Sequence, residues 1–357
     1  MVDVRILGAG ISGLTSAINL AKAGYSVDVY ERNSDCGMRF LGDMQGIDNY
    51  YPEKDAFIML RGMNIESNFP YYPLDQMVLT NCVIKKNIGP LKKPGHYLVK
   101  RGPAPGTLDH GLKEQALASG VRLHFNETIP QADADIVATG PLGNSLSGIA
   151  KGIVFETKKG DMSVTVCNDA LAYKGYSYLL IREGYGCMVS VVMEDFKKIG
   201  GCFDATKNYF AKDLLLDIKN PRPVGGVGCF SINAPYKKGK TLYVGEAAGL
   251  QDFVAGFGML YAFRSGYLAA RCIIDGRDYA QAAETEFGEE RRTSMVNRYL
   301  YERFLRYGNY ALLVELLYLS SKLDYDAYTR YSLMHKVTYP FALRYLKKKY
   351  PQIEARS

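Results

Sequence analysis

The sequence predicts an α/β fold in which a parallel sheet is interrupted by an inserted antiparallel sheet and followed by a helical C-terminal region. Three observations predict it. A strand, glycine turn, helix and strand open the chain, residues 150 to 235 alternate in the manner of antiparallel strands, and helical spacing dominates from Asp278 onward. At 357 residues the chain can bury a large core, as one large domain or two to three smaller ones.

The elements follow in order. Residues 3 to 8 are a short apolar run suited to a buried parallel strand, Ile11 to Ala23 has helical spacing, and Ser26 to Glu31 returns to strand character. From Phe40 to Gly95 the pattern is irregular, with Pro52, Pro70, Pro73, Pro90 and Pro94, and reads as strands and loops covering something. Order resumes with a strand at Tyr97 to Arg101, a helix near Asp109 to Ser119, a strand at Val121 to Phe125 and the apolar Ala134 to Ala138. Met162 to Val166, Tyr176 to Arg182 and Cys187 to Met193 are the candidate antiparallel strands. Thr241 to Val244 is a further strand, Gly245 to Gly258 a glycine-punctuated turn, and Met259 to Ile274 a helix. Residues 1–42, 96–145 and 238–277 are therefore expected to form one discontinuous domain, 43–95 and 146–237 a β-sheet domain, and 278–357 the helical region. No internal repeat or low-complexity segment interrupts this order.

Composition narrows the classes. Hydrophobic residues make up 47% and charged residues 23%, as in a folded globular chain. Seven scattered cysteines form no CxxC pair, and four histidines never fall at metal-ligand spacing, so no metal site is expected. The net charge of +7 is modest for this length, both signs are interspersed through the middle of the chain, and nothing points to nucleic acid. No basic leader precedes the first strand, and no apolar run reaches the roughly 20 residues that cross a bilayer; the nearest, Tyr310 to Leu319, contains Glu315. A cytoplasmic location is the default. From Arg330 to Ser357, however, seven Lys or Arg face one acid, Glu354, which suits either an anionic membrane surface on its inner face or a solvated basic helix end.

Chemistry enters at Gly8-Ala-Gly10-Ile11-Ser12-Gly13, a GxGxxG sequence between a strand and a helix. Gly8 permits the tight turn, Gly10 lets backbone approach a pyrophosphate, and Gly13 lets the helix pack close to the sheet. Phosphates then meet the unpaired N–H groups and positive dipole of the helix N-terminus. Glu31 closes the second strand eighteen residues after Gly13, where its carboxylate can accept hydrogen bonds from ribose hydroxyls. Arg32 follows it, and Asp28 points to the other face of the strand. This unit alone leaves NAD and FAD open.

The other end of the chain adds Tyr243-Val-Gly245-Glu246-Ala-Ala-Gly249, followed by Gly256-Phe257-Gly258-Met259 and a helix. This resembles the second FAD motif of the para-hydroxybenzoate hydroxylase-type flavoprotein superfamily, which includes geranylgeranyl reductases and lycopene cyclases. The resemblance implies FAD as cofactor, a Rossmann-like FAD-binding domain, an acid at Glu246 for the ribityl hydroxyls, and a helix N-terminus at Gly256 to Met259 aimed at the flavin pyrimidine. Glu246 is one methylene longer than the usual Asp. Arg101, at a strand end before a helix, matches an arginine that the family places close to the flavin. Arg39 and the Gly42-Asp43 turn are further candidates to face the cofactor, as is Gly140, whereas Cys36 falls outside the position of the family cysteine and receives no redox role.

The branch of the superfamily rests on fewer letters. Hydroxylases carry a central Asp-Gly motif where this chain has Gly140-Pro141, and the halogenase signature needs tryptophan, of which there is none. Gly175-Tyr176-Ser-Tyr178-Leu-Leu180-Ile181 is similar to the substrate-cavity pattern of geranylgeranyl reductases, with Tyr178 in the tryptophan position. Alternation puts Tyr176, Tyr178 and Leu180 on one strand face, suited to lining an apolar pocket or to an ordinary sheet core. The resemblance then implies an FAD-dependent oxidoreductase reducing C=C bonds of an isoprenoid or other apolar lipid by hydride transfer from flavin N5. Tyr178 and Tyr185 are candidates for the proton donor. Alternatives are an NAD(P)H-using aromatic monooxygenase and a non-catalytic, FAD-containing prenyl-lipid carrier. The electron donor, a ferredoxin or NAD(P)H, is left open. The basic, tyrosine-rich tail, with eleven tyrosines between Tyr299 and Tyr350, is a candidate for peripheral membrane contact.

Overall fold

The computed structural model describes residues 3–50, 54–141, 147–233, 235–306, 310–322 and 326–350. Tyr307, Tyr325, the expected boundary between residues 145 and 146, and the end of the basic tail with Glu354 lie outside the described residues. The short apolar runs of the N-terminal unit form the centre of a six-stranded sheet. In spatial order its strands are Lys237–Lys238, Thr241–Tyr243, Ile136–Val137, Asp3–Leu7, Ser26–Glu31 and Arg122–Phe125. All pairings are parallel except that of Lys237–Lys238 with Thr241–Tyr243. Val4, Ile6, Val27, Val29, Ile136 and Val137 are all buried, which is why these strands read as continuous apolar runs rather than as alternation. Helices Ile11–Lys22 and Met259–Asp275 lie against each other on this sheet; a Cβ on Gly266 would stand 2.3 Å from the Ser12 carbonyl oxygen, so only glycine permits the approach.

Residues 40 to 95 acquire their order from distant partners. Met44–Asp48 and Tyr71–Leu74 flank His96–Lys100 in a three-stranded antiparallel sheet, with Gly46 opposite Leu98 and Asp48 opposite His96. The strand expected at Tyr97 to Arg101 is His96–Lys100, and it pairs with the irregular stretch. Met77–Thr80 and Lys85–Ile88 join a second, seven-stranded sheet instead.

That larger sheet runs Lys219–Gly228, Gly148–Glu156, Tyr185–Val192, Tyr176–Arg182, Met162–Val166, Met77–Thr80 and Lys85–Ile88, antiparallel except where Met162–Val166 meets Met77–Thr80. Its alternation has period two: Leu179, Ile181 and Met188 face one side, while Leu180, Cys187 and Val189 face the other. The first side is covered by a helix, Ile199–Asp213, through Phe203 and Phe210. The alternation of residues 150 to 235 predicts strands only, and this helix is an addition to them. The helix escapes that reading because Gly200 and Gly201 lower its propensity and its buried stripe is narrow, limited to Cys202, Phe203, Thr206 and Phe210.

From Tyr279 the chain is helical, as expected, with helices Tyr279–Arg306, Tyr310–Lys322, Asp326–Thr329 and Leu333–Lys349. The tyrosines of this region are in part internal struts. The Tyr301 hydroxyl donates to the Gly175 carbonyl at 2.9 Å, and Tyr350 joins a buried Arg298–Glu302 ion pair of 2.6 Å. No helix among the described residues is long and apolar enough to cross a membrane.

Candidate functional site

Three layers of the fold enclose one cavity of about 1150 Å³, lined at one end by the Gly8 to Ser12 turn and at the other by the seven-stranded sheet and the C-terminal helices. The polar end is built by glycines. Gly8 has φ +105°, and a Cβ there would lie 2.5 Å from the Ala138 carbonyl oxygen; a Cβ on Gly13 would lie 2.0 Å from the Gly8 oxygen. Gly13 therefore sets helix-to-strand contact and does not line the cavity, while Gly8, Gly10, Ile11 and Ser12 do. A Cβ on Gly10 would meet nothing within 4 Å. The helix behind it has no side-chain cap and no acid in its first turn, which leaves donor N–H groups and a positive dipole end facing open space. A pyrophosphate fits this corner.

Glu31 and Arg32 line the cavity beside the turn. One Glu31 oxygen accepts from the Ala9 N–H at 3.0 Å and the other from the Asn33 N–H at 3.0 Å, so the carboxylate is anchored with acceptor capacity to spare. Asp28 instead pairs with Arg122 and His124; the Arg122 hydrogen bond chiefly holds its carboxyl down to about 2.

The second glycine-rich segment reaches the same cavity. Glu246, Gly256, Phe257, Gly258 and Met259 all line it, and Gly258 starts the Met259–Asp275 helix without a side-chain cap. Gly245 sits just behind, where a Cβ would press within 2.7 Å of Ser12 Oγ and so hold the two motifs apart. Glu246 accepts from Arg39 Nη1 at 2.8 Å and from the Cys229 N–H at 3.0 Å, while Arg39 also donates to the Val227 carbonyl. Gly140 also lines the cavity, and a Cβ there would stand 3.7 Å from Arg39 Nη1. A polyol entering here meets an acceptor and a donor already matched to each other.

Arg101 is buried, in a bidentate pair with Asp109 at 2.8 Å for both bonds, and its remaining Nη1 donates to Gln45 Oε1 at 3.1 Å. Its guanidinium stacks 4.1 Å from the centroid of Phe40. Gln45 in turn donates to Asp43, whose carboxyl is pushed up mainly by burial. Cys36 lies away from the cavity, fully buried, with burial raising its thiol to about 12, so it stays a thiol.

The apolar end takes its wall from the seven-stranded sheet. Tyr176, Tyr178 and Leu180 line the cavity on one strand face, with Val189 and Val191 from the neighbouring strand. Tyr176 donates to the Ala255 carbonyl, and burial raises both tyrosine hydroxyls, Tyr178 well above its ordinary value. Tyr185 does not line the cavity: its hydroxyl donates to the Gly42 carbonyl at 2.8 Å on the far side of the turn. Many cavity residues were invisible to sequence reasoning, four aromatic ones among them. Tyr50 and His96 are hydrogen-bonded to each other beside Phe257, and Tyr301 and Tyr328 come from the C-terminal helices. No spacing signal links residues so far apart in the chain.

The comparisons with known proteins follow this geometry. Residues 6–61 match the family model of an NAD(P)-binding Rossmann-like domain. A zeta-carotene desaturase of Synechocystis sp. is 28% identical over 151 residues, 42% of this chain and 28% of that protein, so the match spans under a third of the desaturase's length. Among solved structures, a geranylgeranyl bacteriochlorophyll reductase-like protein from Thermoplasma acidophilum aligns with TM-score 0.67 and 16% identity over 98% of this chain and 97% of its own. A flavin-dependent brominase aligns with TM-score 0.66 and 13% identity, over 98% of this chain and 99% of its own. A 2-methyl-3-hydroxypyridine-5-carboxylic acid oxygenase aligns with TM-score 0.60 and 15% identity, over 92% of this chain and 96% of its own. The chain therefore shares its fold with the reductase-like protein, the brominase and the oxygenase, the fold expected from its two glycine-rich motifs.

Proposed function

We propose that this chain binds FAD and saturates C=C bonds of an isoprenoid or another apolar lipid. The observation that carries the reading is one continuous cavity, which runs from two uncapped helix N-termini to a wall of Tyr178, Leu180, Val189, Leu98 and Leu74. Its volume of about 1150 Å³ exceeds the roughly 300–1,000 Å³ of an ordinary small-molecule site, as expected where a dinucleotide and a long substrate share one space. Bound and reduced, FAD supplies a hydride at N5. The N–H groups at Gly10 to Ser12 hold the pyrophosphate, Glu31 the ribose, Glu246 and Arg39 the ribityl chain, and the backbone at Gly258 and Met259 the edge of the ring. The apolar wall excludes water and holds the alkene against the ring face.

The proposal extends to a lipid surface. Leu312, Leu316 and Leu319 form one exposed stripe and Leu333, Val337 and Phe341 another, with Lys336, Arg344 and Lys348 exposed on the second helix. The first of these helices also lines the cavity through Leu317 and Ser320.

Denaturing release should yield FAD by absorbance and mass, with an apolar lipid in the organic extract. Anaerobically reduced protein should then add two hydrogens to an unsaturated isoprenoid. Oxygen-dependent hydroxylation of a small aromatic at the expense of NAD(P)H sinks the reductase reading in favour of the monooxygenase. A flavin that no reductant bleaches makes the chain a carrier.

A further inference from the structure

We propose that Tyr50 is the proton donor of the saturation step and that His96 holds it in that role; the assignment rests on the reductase reading above. Both residues line the cavity, His96 at 8% exposure. His96 Nε2 and the Tyr50 hydroxyl form a direct hydrogen bond, with the rings edge-on at 4.9 Å between centroids. Phe257 packs 4.7 Å from His96 and 6.0 Å from Tyr50, and it immediately precedes Gly258, the uncapped start of the second helix. A Cβ on Gly46 would touch both His96 and Phe257 at 3.4 Å, so backbone, imidazole and phenyl converge on one corner of the cavity.

The tyrosines around the cavity are distinguished by what their oxygens meet. Tyr176 and Tyr301 donate to the backbone carbonyls of Ala255 and Gly175, and Tyr185, outside the cavity, donates to that of Gly42. Releasing such a proton breaks that bond and leaves a phenolate facing a carbonyl oxygen, two acceptors in contact. Tyr50 meets a nitrogen. Burial lowers His96 to about 4, which keeps the ring neutral with one N–H. With that hydrogen on Nε2, His96 donates to the Tyr50 oxygen and the phenolic proton is directed away from the ring. The phenolate formed on transfer then receives a charge-assisted hydrogen bond inside a water-poor site. The Tyr328 ring packs 5.6 Å from Tyr50, and its hydroxyl donates to Asp252 at 2.9 Å, which holds that ring against the phenol.

The step balances. One C=C π bond is lost and two C–H bonds form. The hydride comes from reduced flavin, the proton from the Tyr50 O–H bond. The substrate gains two electrons, the flavin loses them, and solvent water reprotonates Tyr50 after product leaves.

The first test uses FAD-loaded protein labelled with ¹⁵N-histidine, whose histidines are only 96, 110, 124 and 335. At neutral pH, His96 is expected to carry hydrogen on Nε2 with bare Nδ1, and its nitrogen shifts should move in Tyr50→Phe. A bare Nε2 accepting from Tyr50 overturns the assignment. The second test follows reoxidation of the reduced flavin by an unsaturated isoprenoid. Tyr50→Phe should slow it about 10²–10³-fold and alter its solvent deuterium isotope effect, with the flavin spectrum and its reduction by dithionite unchanged. His96→Gln, which retains an N–H donor, should keep more of the rate than His96→Phe. Wild-type reoxidation in Tyr50→Phe overturns the donor role alone. Failure of the unmodified protein to reduce any isoprenoid overturns the reductase reading and the donor role together.

Discussion

Gly10→Ala separates folding from phosphate binding at one residue. Gly10 has φ −85° and ψ −176°, extended backbone that alanine adopts, and its added methyl meets nothing within 4 Å. Folding should tolerate the change, and the lost freedom of the unfolded chain should raise stability by about 0.4–1 kcal/mol. The same methyl fills the space in front of the helix N-terminus, where a phosphate oxygen must approach N–H groups to about 2.9 Å. Loss of two hydrogen bonds to a charged group, at about 1.5–3 kcal/mol each, costs about 3–6 kcal/mol, or a rise in Kd of about 10²–10⁴-fold. Titration of apoprotein with FAD, followed by flavin fluorescence, measures the loss, and urea melts measure the stability. Gly13→Ala is the control with the opposite pattern, since its methyl would stand 2.0 Å from the Gly8 oxygen and should damage the fold itself. A wild-type Kd in Gly10→Ala refutes the placing of phosphates at this turn, and a large drop in its stability refutes the open space.

Two further outcomes follow from buried charge. Asp48 is 7% exposed, its Oδ1 has no hydrogen-bond partner among the described residues, and burial pushes its carboxyl from 3.8 up to about 7, with Glu290 and Asp252 adding to the rise and Arg264 opposing it. Because the folded value is the higher one, the stability contributed by the neutral acid is complete below the unfolded value and is lost as pH rises through the folded one. Asp48→Asn should therefore gain on the wild type by about 3 kcal/mol between pH 5 and pH 8 in denaturant melts, and a gap that does not change with pH would contradict the cause. Arg101→Met strands the buried Asp109 carboxylate and should cost about 3–5 kcal/mol; adding Asp109→Leu should recover much of it, and strictly additive losses would show that the pair is not a unit.

Legibility in the sequence followed the range of the forces involved. The N-terminal unit was readable because each glycine answers a local demand and Ile11–Lys22 carries its apolar residues at helical spacing. Strand bounds at Ser26–Glu31, Met162–Val166 and Tyr176–Arg182 agree with the alternation that predicted them. The stretch from Phe40 to Gly95 was unreadable for the opposite reason. Met44–Asp48 becomes a strand by pairing with His96–Lys100, some fifty residues away, and carries Gly46 at its centre, so propensity opposes what pairing enforces. The Tyr50–His96 pair depends on that register, since Asp48 opposite His96 brings the residues just beyond it to the imidazole. Composition does not separate the roles of the C-terminal tyrosines. Tyr301 and Tyr350 are buried through hydroxyl bonds to groups elsewhere in the fold, and the exposed apolar side chains described in these helices are Leu, Val, Met and Phe.

The strand Tyr176–Arg182 shows why a pocket wall and a sheet core look alike in sequence. Period two states that Tyr176, Tyr178 and Leu180 share a face; it is silent on what that face meets. The deciding element is the helix Ile199–Asp213, which packs Phe203 and Phe210 onto Leu179 and Ile181. With one side of the sheet so covered, the other can remain open as a cavity wall without leaving the sheet bare on both sides. Ser177 and Ser190 fit the same division: they are on the covered side, fully buried, and Ser190 donates to Thr206 of that helix at 2.8 Å. The identity of the cavity wall was thus carried by a helix whose own signal was weakened by two glycines. A substitution that loosens this helix, such as Phe210→Ala, acts on the cavity through the sheet, although no atom of Phe210 reaches it.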